Sequence, residues 1–109
     1  MATQQNTVDY LLEQLRGAGA VSARKMFGEY ALYRNGKLVA LICDDQLYLK
    51  PTAAGRALAD GCVDCSPYPG AKPHILVEGD RWEDAEWLTR IIEVSAEELP
   101  ESAKRKRKR

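Results

Sequence analysis

The chain has 109 residues, 45% of them hydrophobic and 29% charged, and its 16 basic and 16 acidic side chains give a net charge of zero. This length predicts a single domain, and no apolar run approaches the roughly 18 residues of a membrane-spanning helix. The N-terminus, MATQQNTVDY, has neither the basic start nor the apolar stretch of a signal peptide. We therefore expect a cytoplasmic protein that does not enter a membrane. Three cysteines are too few for a disulfide framework.

The zero net charge combines an acidic body with a basic tail. The last six residues, 104–109, read KRKRKR. Without them, residues 1–103 hold 10 basic and 16 acidic side chains, a net charge of −6. This asymmetry predicts a folded domain over residues 1–100 and a disordered basic tail over residues 101–109.

The first half of the chain predicts one helix followed by an antiparallel meander. Apolar residues recur at helical spacing over residues 7–16, and Gly17 and Gly19 follow. Asn35-Gly36 is typical of a type I′ hairpin turn, and Asp44-Asp45-Gln46 indicates a second tight turn. The run LVALIC over residues 38–43 is apolar on both faces and predicts a central strand. Strands are expected over residues 22–27, 29–34, 37–43 and 47–50.

The second half predicts a short helix, a loop, a strand and a last helix. Thr52 is the expected N-cap of the short helix, residues 62–72 form the loop, and residues 74–78 form the strand. The last helix is expected to begin near residues 81–84 and to end at Pro100. Trp87 is expected in the core, and the less constrained Trp82 at a sheet edge or an interface. The order α-β-β-β(-β)-α-β-α defines an α+β fold in which helices cover an antiparallel sheet.

The run RKMFGEYALYRNGKLVALICDDQLYLK resembles the N-terminal domain of the TfoX/Sxy family of competence regulators. The shared progression is a Met-Phe-Gly segment, an aromatic strand, a glycine turn, an apolar strand, a turn with Asp, and Leu-Tyr-Leu-Lys. In this chain these features lie at residues 26–28, 30–33, 35–36, 38–42, 44–45 and 47–50. The resemblance is good over residues 7–60, holds in element order over residues 61–100, and is absent from the tail.

The resemblance implies an α+β fold similar to that of type III secretion chaperones. It also implies a non-enzymatic domain, without a cofactor or catalytic residues, whose larger relatives regulate the transcription of DNA-uptake functions. Those regulators carry an additional C-terminal domain, so we expect a single-domain member of the family. Such a domain would act through a protein partner, bound at a sheet edge, or as a homodimer.

Four side chains define the alternative, a small zinc- or thiol-dependent module. Cys62-Val63-Asp64-Cys65 is a C-x-x-C motif, and Cys43 and His74 would complete four zinc ligands. The spacing is irregular, and a second paired motif is missing. Cys43 also fits the apolar strand pattern, so we favour core and loop thiols over a metal site. His74, the only histidine, has no visible nucleophile beside it and is interpreted as structural.

The charged and aromatic residues suggest two nucleic-acid surfaces. Tyr30, Tyr33 and Tyr48 on the meander, with cations at positions 24, 25, 34, 37 and 50, are similar in composition to a single-strand stacking platform. The acidic body opposes phosphate binding there, so we interpret the tyrosines as cross-strand packing residues. The tail is the stronger candidate, since consecutive cations neutralise phosphates without a folded surface. Its residues are Lys104, Arg105, Lys106, Arg107, Lys108 and Arg109.

Overall fold

The computed structural model describes residues 3–26 and 29–99, which form a six-stranded antiparallel sheet and three α-helices. The helices are α1 (Gln5–Gln14), α2 (Ala53–Leu58) and α3 (Ala85–Glu98), with short 3-10 turns at Arg16–Ala18 and Gly79–Arg81. The strands are β1 (Val21–Met26), β2 (Glu29–Arg34), β3 (Lys37–Cys43), β4 (Gln46–Leu49), β5 (Val63–Cys65) and β6 (His74–Val77). The predicted α+β class and element order are confirmed. The predicted tail and the Phe27-Gly28 pair lie outside the described residues.

The strands lie in the order β1-β2-β3-β4-β6-β5, which makes β1 and β5 the edges and β3 a central strand, as predicted. Both predicted hairpin turns are present. Asn35 and Gly36 have φ angles of 52° and 84°, and Asp44 and Asp45 have φ angles of 53° and 60°. Two consecutive positive φ angles are the requirement of a type I′ turn, and Asn, Asp and Gly tolerate them best.

The loop predicted over residues 62–72 is partly wrong, because Val63–Cys65 forms the edge strand β5. It pairs antiparallel with β6, and Cys65 lies opposite His74. Three residues are too few to show a period-2 pattern, and only the neighbouring strand supplies their hydrogen bonds.

One face of the sheet packs against the helices to form the main core. Alternate residues of β2, β3, β4 and β6 point to this face, where they meet the apolar stripes of α1 and α3. The largest fully buried side chains are Leu11, Leu15, Leu32, Ile42, Leu47, Leu49, Ile75, Leu88, Ile91 and Ile92. Within the described ranges no helix is long and apolar enough to cross a membrane, and α3, the longest, has 14 residues.

Both tryptophans pack at the main core, and Trp82 is the more deeply buried of the two. Trp82 is 8% exposed and belongs to the main core, where its indole N–H donates to Val77 O at 2.9 Å. Trp87 is half-buried, donates to Leu58 O at 2.9 Å, and lies against the Arg81 guanidinium at 4.2 Å. The prediction that Trp82 sits at an edge or interface is wrong, because the 3-10 turn before α3 directs this side chain under the sheet's helix-covered face.

The Asp44-Asp45 turn is tied to the start of α1. Asp45 accepts hydrogen bonds at 2.8 Å from the Gln4 backbone N–H and from the Thr7 hydroxyl. The hydroxyl of buried Thr3 donates to Glu29 and accepts from the Asp45 N–H. α1 begins at Gln5, two residues before the helix predicted over residues 7–16, because the Asp45 carboxylate from a distant turn binds the residues at its start.

These bonds lead to a pH-dependent prediction for Asp45→Asn. The Gln4 N–H and the Thr7 hydroxyl hold the pKa of the Asp45 carboxyl below its ordinary value of 3.8. A lowered folded-state pKa stabilises the protein at neutral pH, and that contribution disappears as the pH falls through the folded-state pKa. The wild type should therefore resist urea better than Asp45→Asn at pH 7, and the difference should shrink below about pH 4.

Urea midpoints from pH 7 to pH 2 measure this effect. Thr7→Val removes one of the two donors and should show part of the same pH-dependent difference. A difference between wild type and Asp45→Asn that stays constant across this range would contradict the assignment.

Candidate functional site

The second face of the sheet, which we call the open face, carries its own smaller apolar cluster. Ala31, Leu41, Cys43 and Tyr48 are buried in it, and Tyr33, Leu38, Cys65 and Leu76 pack around them. These positions alternate with the core positions along each strand, and the ladder places Leu41, Tyr48 and Leu76 side by side on β3, β4 and β6. The cluster contains no helix residue, so β-strands alone form this apolar surface.

A cavity of about 700 Å³ lies on the open face. Its floor includes Leu38, Leu41 and Cys43 of β3. Its wall is the connection between β5 and β6, which contributes Pro67 and Tyr68. A volume of this size falls within the roughly 300–1,000 Å³ of small-molecule sites.

Hydrogen bonds within the β5–β6 connection shape this wall. The Ser66 hydroxyl donates to Ala71 O at 2.9 Å, and the Ala71 N–H donates to Tyr68 O at 3.0 Å. Gly70 has a φ of 89°, a conformation that glycine adopts without strain. The turn therefore returns the chain towards β6 with Tyr68 at the cavity, although this side chain stays 55% exposed.

Three nitrogen-bearing side chains line one end of the cavity: Lys50, Lys72 and His74. Leu49 pairs with Ile75, so the next position along the antiparallel ladder sets Lys50 opposite His74. His74 Nδ1 lies 2.8 Å from Lys72 O. A carbonyl only accepts, so Nδ1 is the donor of this bond. Among the described residues, neither lysine side chain has an ion-pair or hydrogen-bond partner.

The thiol of Cys43 is suppressed as a nucleophile. Burial, together with the nearby carboxylates of Glu29 and Asp44, raises its pKa to about 11. Burial also raises the pKa of the neighbouring Tyr48 hydroxyl, with smaller contributions from Cys65 and Cys43. Because the thiolate is the reactive form of cysteine, Cys43 acts as an apolar floor residue near neutral pH.

The structure does not gather the four residues of the zinc alternative. Cys43 and Cys65 lie on the open face, on strands that β4 and β6 separate. Cys62 packs instead against the main core, and its sulfur accepts from Arg81 at 3.5 Å. Only Cys65 and His74 are neighbours, as partners in the β5–β6 ladder. Within residues 3–26 and 29–99, no group of three or more His, Cys, Asp or Glu side chains is placed to hold a metal.

The tyrosines and cations of the meander do not form one platform. Tyr30 points to the helix-covered face and donates to Gln5 Oε1 at 2.9 Å, whereas Tyr33 and Tyr48 belong to the open face. Two of the cations have local roles, since Arg34 donates to Ala18 O at 2.6 Å and Lys37 donates to Ala96 O at 3.0 Å. This arrangement agrees with the interpretation of the tyrosines as packing residues.

Sequence reasoning missed the cavity. In the sequence, Lys50 is one of several cations near the tyrosines, and Lys72 and Tyr68 fall within the predicted loop. The signals that were available are weak: an aromatic residue between two prolines in the segment SPYPGAKP, followed by a lone histidine. Nothing in that segment shows that it folds over the open face.

The fold defines a small α+β domain, in which an antiparallel sheet has helices on one face and a cavity on the other. A family model described as the TfoX N-terminal domain matches residues 13–99, and the chain belongs to that family. The chain is also 37% identical, over 108 residues, to an uncharacterized 12.7 kDa protein in the trpE 5′ region of Spirochaeta aurantia. That alignment covers 99% of this chain and 93% of the relative. The resemblance noted in the sequence is thus confirmed.

Proposed function

We propose that residues 1–100 form a non-enzymatic regulatory or adaptor domain of the cytoplasm, which acts by binding a protein partner. Membership of the TfoX N-terminal family is consistent with a competence-regulator-like role, and this family is not known for enzymatic activity. The observation that carries the proposal is the edge strand β1, which pairs with β2 on one side only. An exposed edge binds an extended segment of another protein by adding a strand to the sheet.

Charge indicates what kind of segment β1 would bind. Residues 14–43 hold five basic side chains and one acidic side chain, whereas the body as a whole is acidic. Arg24 and Lys25 are exposed on β1 itself. Two copies of β1 would place these cations close together, and like charges on paired strands destabilise a sheet. The surface therefore favours an acidic extended segment of a different protein over a homodimer formed through β1.

The hydrogen-bond pattern of β1 supplies a sharp test at Lys25. The Asn35 N–H donates to Ala20 O at 2.7 Å, so positions 22, 24 and 26 of the antiparallel ladder point their amides towards β2. The Lys25 N–H then points away from β2, towards an incoming strand. Lys25→Pro removes that donor and leaves the β1–β2 ladder intact. Lys25→Gln removes only the charge and serves as the matched control.

The measurement compares proteins captured by immobilised wild type, Lys25→Pro and Lys25→Gln, quantified by mass spectrometry. We expect a partner that the wild type retains, that Lys25→Gln binds more weakly, and that Lys25→Pro loses by tenfold or more, roughly the effect of one backbone hydrogen bond and a strand clash. Equal capture by Lys25→Pro and wild type would exclude β1 as the binding edge.

We further propose that the basic tail adds electrostatic contact with nucleic acid. Residues 104–109 are six consecutive cations, and no acidic residue lies between Glu101 and them to neutralise their charge. If all six neutralise phosphates of duplex DNA, the logarithm of the binding constant should fall with the logarithm of salt concentration with a slope of up to about −5.

Fluorescence anisotropy with short duplexes, across a salt series, tests the tail. The full chain should bind at low salt, and a full-length variant with glutamine at all six positions should lose binding, because the remaining body carries a charge of −6. Binding that persists in the glutamine variant would move the nucleic-acid surface to the folded domain. The absence of binding by the full chain at low salt would remove nucleic acid from the proposal.

A further inference from the structure

We propose that the cavity on the open face binds a small amphipathic organic anion, with an apolar body and one carboxylate or sulfonate group. No residue of β1 lines this cavity. The cavity combines an apolar floor, a defined wall and unpaired positive charge at one end, and each of these features constrains the ligand.

The floor selects the apolar body. Leu38 and Leu41 of β3 present aliphatic surface to the cavity, and the Cys43 thiol stays protonated and apolar near neutral pH. Tyr68 and Pro67 enclose the same space from the wall. Burying an apolar ligand surface against these side chains is favourable, in proportion to the area removed from water.

The charged end selects the anion. Lys50 and Lys72 line the cavity without an ion-pair partner among the described residues. Lys50 is half-buried and lines the same cavity as the apolar floor, and a charge at a partly buried site interacts with an anion more strongly than in bulk water. The bond from His74 Nδ1 to Lys72 O ties the two residues together and fixes the position of this end. Glu29 lines the cavity as well, and its repulsion favours a ligand whose anionic group points to the lysines.

A second cavity of similar size does not share these properties. It has a volume of about 710 Å³, lies between α1 and the start of α3, and is lined by Asp84, Glu86 and Glu93. Arg90 is its one basic lining residue. The acidic excess there repels an anion. We therefore expect an anionic ligand to bind in the open-face cavity and not in this second one.

The test uses two fluorescent probes that share an aromatic body and differ in charge. 8-Anilinonaphthalene-1-sulfonate carries a sulfonate, and N-phenyl-1-naphthylamine is neutral. Each is titrated into the full chain, into Lys50→Gln and Lys72→Gln, and into the control Lys25→Gln, whose position does not line the cavity. The same titrations are repeated in the full-length variant with six tail glutamines, in which the tail cations no longer attract the anionic probe.

We expect the sulfonate probe to saturate at one site per chain. Lys50→Gln and Lys72→Gln should each weaken it by about fivefold, the scale of one partly exposed ion pair. Lys25→Gln should leave it unchanged, and neither lysine variant should alter the affinity of the neutral probe. Backbone amide resonances of residues 29–30, 38–43, 50 and 67–74 should shift on titration. The unchanged remainder of the spectrum shows that each variant is folded.

Three results would overturn the assignment. The first is a sulfonate affinity that neither lysine variant changes. The second is a set of resonance shifts confined to residues that do not line this cavity, for example around Asp84 and Glu93 of the other cavity. The third is the lack of saturable binding of the sulfonate probe by the wild type.

Discussion

Trp82→Ala is expected to lower the free energy of unfolding by about 3–5 kcal/mol, the usual cost of truncating a buried aromatic side chain. Trp82 is 8% exposed, and its ring lies 6.4 Å from that of Tyr10, between centroids. The Gln14 side chain of α1 donates to the Trp82 carbonyl at 2.8 Å, and the Trp82 indole donates to Val77 of β6. Trp82 therefore connects α1, β6 and the start of α3. Its removal would leave a cavity where these three elements meet, because the surrounding backbone cannot collapse fully.

Trp87→Ala provides the matched comparison. Trp87 is half-buried and contacts the partly exposed Arg81, so less apolar area is lost and water can fill the space. We expect a cost of about 1–2 kcal/mol. Trp82→Phe should fall between the two, since it keeps most of the buried ring and loses the bond to Val77 O. Chemical denaturation measures all three variants. A larger loss for Trp87→Ala than for Trp82→Ala would contradict the observed packing.

Gly55→Ala is expected to lower the free energy of unfolding by about 2 kcal/mol. Helix propensity alone predicts the opposite sign, since it favours alanine over glycine by roughly 1 kcal/mol. An added Cβ would lie 2.5 Å from Ser95 Oγ and 2.8 Å from Thr52 Oγ1. Thr52 Oγ1 caps α2 by accepting the Gly55 N–H at 2.9 Å and donates to Ser95 Oγ at 3.4 Å. Moving the Thr52 hydroxyl breaks the helix cap, which costs about 1 kcal/mol. Moving the Ser95 hydroxyl breaks its hydrogen bond to Thr52 and leaves a buried polar group without that partner.

A double-mutant cycle and a second glycine test this explanation. Ser95→Ala removes the closest atom, so Gly55→Ala should cost at least about 1 kcal/mol less in that background than in the wild type. Gly17→Ala is the control, because nothing lies within 4 Å of its added Cβ. It should be neutral or slightly stabilising, by up to about 1 kcal/mol. A neutral Gly55→Ala would show that α2 and α3 separate easily at this contact.

The two binding proposals are separable by these same variants. Lys25→Pro alters the β1 edge and replaces no residue that lines the cavity, whereas Lys50→Gln and Lys72→Gln alter the cavity and replace no residue of β1. A partner lost on Lys25→Pro but retained by the cavity variants would assign macromolecular recognition to the edge. Dependence of partner capture on the added sulfonate probe would show that the two surfaces are coupled.

Local chemistry explains why much of the fold could be predicted. The two hairpins depend on residue pairs that tolerate positive φ, Asn35-Gly36 and Asp44-Asp45, and this preference needs no distant partner. The apolar spacing of α3 places Leu88, Ile91 and Ile92 on one face wherever the helix packs. The same local regularity carries the family resemblance, since the meander's turns and strands recur in one contiguous segment.

Other features depend on contacts between residues far apart in the chain. The start of α1 is set by Asp45, and the burial of Trp82 is set by Val77 and α1. The faces taken by Cys43 and Cys62 follow from the strand register and from the chain path after α2. None of these contacts leaves a periodic signal in the segment that contains the residue.

The α+β class, the meander, both hairpin turns and the family could be read from the amino-acid sequence, because turn conformation and apolar period are properties of neighbouring residues. Tertiary contacts set two further features: Cys43, Cys62, Cys65 and His74 do not converge on one metal site, and Lys50, Lys72 and Tyr68 line one cavity. The reason is geometric. The cavity exists because the β5–β6 connection returns across the open face, and that path is fixed by pairing between β4 and β6, strands more than twenty residues apart.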